Sequence, residues 1–500
     1  MVLGTASHVG KSLIAAALCR IFSDEGYRVA PFKAQNMSLN SAATPDGAEI
    51  GRAQAMQAEA ARITATADMN PILLKPTSST GSQVVLLGKV QGVEQAADYH
   101  RRRVATWFPP VVAAYERLAA KHDIIVIEGA GSPAEINLKA TDIVNMRMAD
   151  AADARCLLVG DIDRGGVFAS LLGTMMLLEP SERARIAAFA INKFRGDLTL
   201  LAPGVAQIEE RMELPCAGVI PWLHEVGLDE EDSVSLTDQP RVAQRGWTRS
   251  ADPARALRVA IILLPYLANA TDFAALAAEP ELDVAYVADP ADLHFADLVI
   301  VPGTKDTIGA LRWLHANDFA QAIPRFSERG IMLGICGGLQ ILGSSVADPH
   351  GVEGGGKHAG LGLLPVGTVL AKEKITREVR VHVRDGGWFG VPSEKCIGSG
   401  YEIHMGESTV HGAAFADVDR GTGGTILDGS VSANGRIVGT YVHGLFAEDA
   451  MRHAFLRAAR AACGLQPPQR FAPYAAERDA RFDRLAAHVR AALDLTPLLA

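Results

Sequence analysis

The chain has 500 residues, 48% of them hydrophobic and 21% charged, with a formal net charge of -9. That length suits two large domains, and the composition is ordinary for a globular protein. An acidic chain argues against a general nucleic-acid binder, and no run of about 18 apolar residues is available to cross a bilayer.

Six cysteines are scattered without a C-x-x-C pair. They read as reduced thiols in a cytoplasmic protein, with no zinc ribbon or dithiol site expected. No secretory leader is visible. Only Met1-Val2-Leu3 precede the first glycine, so the first strand is expected to be short, or the natural start to lie upstream.

In chain order, the first motif is Gly4-Thr5-Ala-Ser-His-Val-Gly10-Lys11-Ser12. It is a phosphate-binding loop with one residue more than the usual G-x-x-x-x-G-K-[ST] spacing. Its backbone N–H groups and the following helix N-terminus suit phosphate oxygens. Lys11 is placed to meet the β/γ-phosphates of ATP and Ser12 to ligate Mg²⁺. The helix is predicted over Lys11–Asp24, because Ile14, Leu18, Ile21 and Phe22 recur at helical spacing.

Strands are predicted at 28–31, 124–128, 156–160, 187–192 and 217–220, alternating with helices. Such alternation predicts a parallel sheet covered on both faces. Glu128 ends one strand before a Gly-rich loop, where a second Mg²⁺ partner belongs. Asn192 and Lys193 end another and suit recognition of the nucleotide base; a capped turn is the competing reading. The first domain is expected over residues 1–226.

Residues 227–256 are polar, charged and proline-bearing and read as a linker. A second α/β domain is expected over 257–447, with strands at 258–263, 283–286, 298–301 and 331–335. Short strands and Gly-rich turns are expected after about residue 360, and helices over 451–463 and 475–493. Residues 448–500 are expected to pack as a helical segment on the second domain.

Gly334-Ile-Cys336-Gly337-Gly338 follows the predicted strand at 331–335. A strand-to-helix turn of this kind presents a nucleophile on a sharp bend, and the helix N-terminus favours a thiolate. A thiol nucleophile needs a base. His443, in Gly439-Thr-Tyr-Val-His443-Gly, follows a predicted strand, with His404 as its competitor. The N–H groups of Gly303 and Gly337 suit an oxyanion hole.

With these motifs in view, the chain resembles the cobyric acid synthase family over nearly its whole length. The resemblance is carried by Pro31-Phe-Lys33-Ala-Gln35-Asn36-Met-Ser38-Leu-Asn40-Ser41, Ile72-Leu-Leu-Lys75-Pro-Thr77, Gly160-Asp161-Ile-Asp163-Arg164-Gly165-Gly166 and Asn192-Lys-Phe-Arg-Gly-Asp197. It implies a P-loop domain similar to dethiobiotin synthetase, followed by a class I glutamine amidotransferase α/β domain. It implies Cys336 as nucleophile and His443 as base. It also implies glutamine, ATP and adenosylcobyrinic acid a,c-diamide as substrates, with the b, d, e and g carboxylates becoming amides.

Lys33 and Lys75 are candidates for steadying the transferred phosphoryl group, and an enclosed path for ammonia is expected. No nucleic-acid or membrane partner is expected, and a homo-oligomer is left open. Class I glutaminases place a glutamate two residues after the histidine, where this chain has Leu445. The related group lacks that member, and Glu448 is the nearest acid in sequence. An a,c-diamide synthase and a nucleotide-dependent scaffold protein are the rival readings.

Overall fold

The computed structural model describes residues 1–77, 81–223, 227–228, 247, 252–392 and 396–499. The chain forms two compact units. One comprises Met1–Ser38, Ile50–Glu231 and Glu477–Ala500; the other comprises Leu39–Glu49 and Asp232–Ala476.

The first unit is built on parallel strands. Val29–Phe32 pairs with Ile124–Ile127. A single bridge between Val2 and Glu128 joins that pair to Val2–Gly4, and Cys156–Asp161, Ile186–Phe194 and Cys216–Pro221 follow in parallel. The strands Val2–Gly4, Val29–Phe32 and Cys156–Asp161 are buried at every position, as a sheet covered on both faces requires. The predicted short first strand is three residues long.

Helix Lys11–Asp24 starts and stops where its periodicity predicts and buries Ile14, Leu18, Ile21 and Phe22. Gly10 enters it at φ +103, and a Cβ there would lie 2.3 Å from Asn192 Nδ2, so only glycine fits. The same unit also carries a sheet not read from the sequence. Its order is Gln35–Met37, Ile72–Pro76, Gly81–Leu86 and Lys89–Gln95, antiparallel after the first pair.

The second unit holds another parallel sheet. Its order is Leu282–Val287, Leu257–Ile262, Leu298–Val301, Ile331–Ile335 and Ile437–Thr440, closed by the antiparallel edge Ser430–Val431. A second sheet is built around Val366–Val383 and Cys396–Val410, strands of 18 and 15 residues. The short strands expected after residue 360 are therefore corrected there. Toward the end of the longer strand, Val379, Val381 and Val383 are buried while Arg380 and His382 face solvent, the alternation of a half-exposed ribbon.

The expected domain boundaries differ from the two units in two places. Leu39–Glu49 belongs to the second unit, although it lies inside the expected 1–226 domain. From Glu477 the chain belongs to the first unit, although 448–500 was expected on the second domain. The reason is the apolar face of helix Tyr474–Ala492. Phe482, Leu485, Ala486 and Val489 enter one core with Ile14, Leu18 and Phe22. Each large side chain so buried stabilises by about 1.5–3 kcal/mol.

Arg20, fully buried, pairs with Asp479, and Asp494 N–H donates to Ala217 O at 2.7 Å. Helix Asp449–Ala462 instead buries Met451, Phe455 and Leu456 beside Trp388 in the second unit's core. The expected linker lies mostly outside the described residues; Trp247, within it, is buried and donates its ring N–H to Asp283.

Candidate active site

Strand Ile331–Ile335 runs into a turn at Cys336, whose φ of 53 and ψ of -106 lie outside the regions that side-chain-bearing residues favour. Two contacts and one close approach surround that turn. Cys336 N–H donates to Thr440 O at 2.8 Å, tying the turn to the strand that leads to His443. A Cβ on Gly338 would lie 1.9 Å from Val301 O, so no side chain fits there. Cys336 Sγ lies 3.6 Å from Ile403 O.

His443 follows strand Ile437–Thr440 and is buried. The Cys336 side chain lies beside it on one side, both facing Gly303. On the other, its Nδ1 lies 2.6 Å from Asp272 Oδ2. The second oxygen of Asp272 accepts Gly444 N–H at 3.0 Å, so one carboxylate fixes both ring and backbone. Burial alone would push the His443 pKa down. The charges of Asp272 and Cys336 and the hydrogen bond to Asp272 outweigh it and bring the imidazole up to about 10.

Asp272 is not marked by any motif in the sequence. It sits in the short turn Ala270–Phe273, 171 residues from the histidine it contacts. The only local signal is a lone acid set among Ala, Thr and Phe. Glu448 does not fill this role: its carboxylate accepts Ser399 N–H at 3.0 Å. His404 stacks on Tyr441 with centroids 3.9 Å apart, and its Nδ1 meets Gly406 O at 2.8 Å.

Gly303 lies against the same group. A Cβ there would come within 3.1 Å of His443 Cε1 and 3.8 Å of Cys336 Cβ. A Cβ on Gly337 would lie 3.1 Å from Thr304 N, the next residue of that loop. Among the described residues neither Gly303 nor Gly337 donates its N–H to a backbone carbonyl. Burial pushes the thiols of Cys19, Cys156, Cys216, Cys396 and Cys463 upward, to about 11 for Cys216 and about 12 for Cys463.

At the nucleotide end, the sheet brings Gly4, Glu128, Asp161 and Asn192 to the carboxyl ends of neighbouring strands, where open α/β sheets bind ligands. Thr5 N–H donates to Val159 O at 2.9 Å, anchoring the loop. Lys11 Nζ donates to Ala6 O at 2.9 Å and Gly131 O at 3.0 Å. Ser12 Oγ lies 2.9 Å from Glu128 Oε1. Glu128, fully buried, also meets Lys33 Nζ at 2.9 Å and Gln57 Nε2 at 2.5 Å.

Asn192 Nδ2 donates to Val9 O at 2.7 Å, and Lys193 Nζ to His8 O at 2.7 Å and Asp161 Oδ2 at 2.8 Å. These two residues thus brace the phosphate loop from behind. Lys75 is buried on strand Ile72–Pro76. A cavity of about 340 Å³ adjoins the separate loop at residues 130–133, whose Gly131 carbonyl accepts from Lys11, and is lined also by Gln35, Tyr99, Arg103 and Asn145.

Comparison with known proteins gives two domain matches. Residues 1–236 match the CobQ/CobB/MinD/ParA nucleotide binding domain, and residues 258–451 match the CobB/CobQ-like glutamine amidotransferase domain. Cobyric acid synthase of Sorangium cellulosum is 49% identical over 99% of this chain and 96% of its own length. Those of Syntrophobacter fumaroxidans and Citrobacter koseri are each 46% identical over 99% of this chain and 96% of theirs. The chain belongs to the cobyric acid synthase family. It is a glutamine-hydrolysing carbon–nitrogen ligase, with a nucleotide-binding domain that implies ATP use. For this family member, the Cys336 turn falls in the matched amidotransferase domain and the Lys11 loop in the matched nucleotide domain. Among the described residues no helix is long and apolar enough to cross a membrane.

Proposed function

We propose that this enzyme amidates the b, d, e and g carboxylates of adenosylcobyrinic acid a,c-diamide, using ammonia made at Cys336. The observation that supports the glutaminase half is the buried Asp272–His443 pair beside Cys336 on its strained turn. Cys336 Sγ attacks the side-chain amide carbon of glutamine. The oxyanion that forms meets the N–H groups of Gly303 and Gly337, preorganised for that charge. His443 gives a proton to the departing nitrogen, the C–N bond breaks, and ammonia leaves a glutamyl thioester. His443 then takes a proton from water, which attacks the thioester and frees glutamate and Cys336. Asp272 keeps the imidazole in the tautomer and orientation both steps need.

At the ligase centre, a carboxylate oxygen of the substrate attacks the γ-phosphorus of ATP, and ADP leaves. Ammonia attacks the resulting acyl phosphate, and inorganic phosphate leaves with the amide formed. Lys11 and Lys33 carry the positive charge nearest this chemistry, and Lys75 is a further candidate. Ser12 and Glu128 present hard oxygen donors 2.9 Å apart, a pair that fits Mg²⁺. Bound there, the cation neutralises phosphate charge. The cavity beside Gly131 gives the acceptor arm room next to the carbonyl that Lys11 meets.

The experiment is glutamate release and product mass by purified enzyme with glutamine, Mg-ATP and the corrinoid diamide. Four successive amide products and substrate-stimulated glutamate release are expected. Product only from cobyrinic acid, stopping at two amides, would identify an a,c-diamide synthase instead.

A further inference from the structure

The stretch Leu39–Glu49 lies inside the expected 1–226 domain, yet it belongs to the unit that holds Cys336 and His443. Its contacts converge on the turn that carries Asp272. Asn40 Oδ1 accepts Ala270 N–H at 3.1 Å, and Asn269 Oδ1 accepts Ser41 N–H at 3.0 Å. Each asparagine thus accepts from the backbone N–H of the residue that follows the other. Asn269 adopts φ 55, and its carbonyl accepts Asp272 N–H at 3.0 Å. Asn40, Ser41 and Asn269 are each at most 2% exposed, so these bonds are made without competing water.

A second path leads from the same stretch to the histidine. Ala43 packs in one apolar cluster with Tyr401 and Ile403. The Tyr401 ring stacks on His443 with centroids 5.4 Å apart, and the two residues exchange backbone hydrogen bonds of 2.9 and 3.0 Å. The stretch is itself anchored: Ser41 Oγ donates to Glu49 Oε1 at 2.8 Å, and buried Lys374 pairs with Glu49.

We infer that Asn40 is a positioning residue of the glutaminase centre, holding the Asn269–Asp272 turn so that the carboxylate meets His443 Nδ1. The inference rests on the proposed role of Asp272. Its consequence is that the glutaminase depends on a segment lying more than 200 residues before its own strands, between Lys33 and Gln57, which both engage Glu128.

The test is a double-mutant cycle in the full-length enzyme, read as glutamate release. Asn40→Ala is expected to lower kcat about 10- to 100-fold, the range that a misplacement near 1 Å produces, with KM for glutamine unchanged. Ammonium-supported amidation should stay at the parent level. In an Asp272→Asn background the same change should cost nothing further, because a residue acting only through Asp272 has no effect once that carboxylate is gone. Additive losses, or a kcat equal to the parent's, would overturn the inference. An inert Asp272→Asn would instead overturn the proposed triad. Should Asn40→Ala fail to fold, Asn269→Gly removes the reciprocal acceptor while tolerating the positive φ. It takes the place of Asn40→Ala in the cycle, with the same outcomes supporting or overturning the inference.

Discussion

Asp272→Asn strikes the centre at the group that organises it. The two side chains have nearly the same shape, so the turn and its contact with Gly444 N–H are kept. The negative charge beside His443 is not. The heavy atoms meet at 2.6 Å. With charge centres about 4 Å apart and an effective dielectric near 20, the attraction is about 4 kcal/mol. At 1.36 kcal/mol per pKa unit, its loss lowers the imidazole by about three units. His443, now at about 10, then returns toward the ordinary histidine range. The same energy bounds the kinetic cost at about 10³, and a fall of about 10²- to 10³-fold in glutaminase kcat is expected. Two readouts check this in one preparation: glutamate release across pH, and ammonium-supported amidation. The alkaline limb of the glutaminase profile should move down with the imidazole, while the ammonium reaction is untouched. Turnover within a few-fold of the parent, with the alkaline limb in place, would refute the reasoning.

Four further outcomes are expected. Cys336→Ser should abolish amidation from glutamine but leave it with high ammonium. Lys11→Ala should stop amidation from both nitrogen sources while glutamate release persists; amidation surviving this change would remove the loop from the ligase centre. Phe482→Ala, opening a cavity under helix Tyr474–Ala492, should cost about 3–5 kcal/mol in denaturant unfolding, and a loss under about 1 kcal/mol would mean the helix is not part of that core. Burial lifts the Asp428 carboxyl from 3.8 to about 6. The folded state therefore holds its proton more tightly than the unfolded chain. Stability from this group is full below about pH 4 and is lost as pH rises through about 6, by roughly 3 kcal/mol. Asp428→Asn should flatten that fall in a pH series of unfolding curves.

The two centres use buried carboxylates in different ways. Asp272 accepts from an imidazole and a backbone N–H. Glu128 gathers three side chains, Lys33, Ser12 and Gln57, from separate elements. Removing Glu128 would take from buried Lys33 one of its ion-pair contacts. Glu128 therefore holds three side chains together at the nucleotide end, and a Glu128→Gln phenotype mixes that effect with the loss of the proposed Mg²⁺ oxygen. Asp272→Asn leaves His443 free to become neutral, so its phenotype is cleaner.

What the sequence made legible follows the range of the physics involved. The phosphate loop and the Cys336 turn depend on neighbours in the chain. Gly10 at φ +103 and Gly338 against Val301 O write their backbone needs directly as glycine. Helix Lys11–Asp24 and strands Leu298–Val301 and Ile331–Ile335 likewise carry their burial pattern in local apolar spacing. Asp272, by contrast, is a single acid whose partner lies 171 residues away, and nothing in its own turn specifies a histidine. The apolar stripe of Tyr474–Ala492 announces that one face is buried but not against which core. Leu39–Glu49 is harder still, because its anchors are side-chain oxygens meeting backbone N–H groups at Ser41 and Ala270, and such bonds leave no periodicity. The Cys336 turn was readable from its neighbours, and the resemblance favoured His443 over His404, but the carboxylate beside His443 depends on segments 171 residues apart.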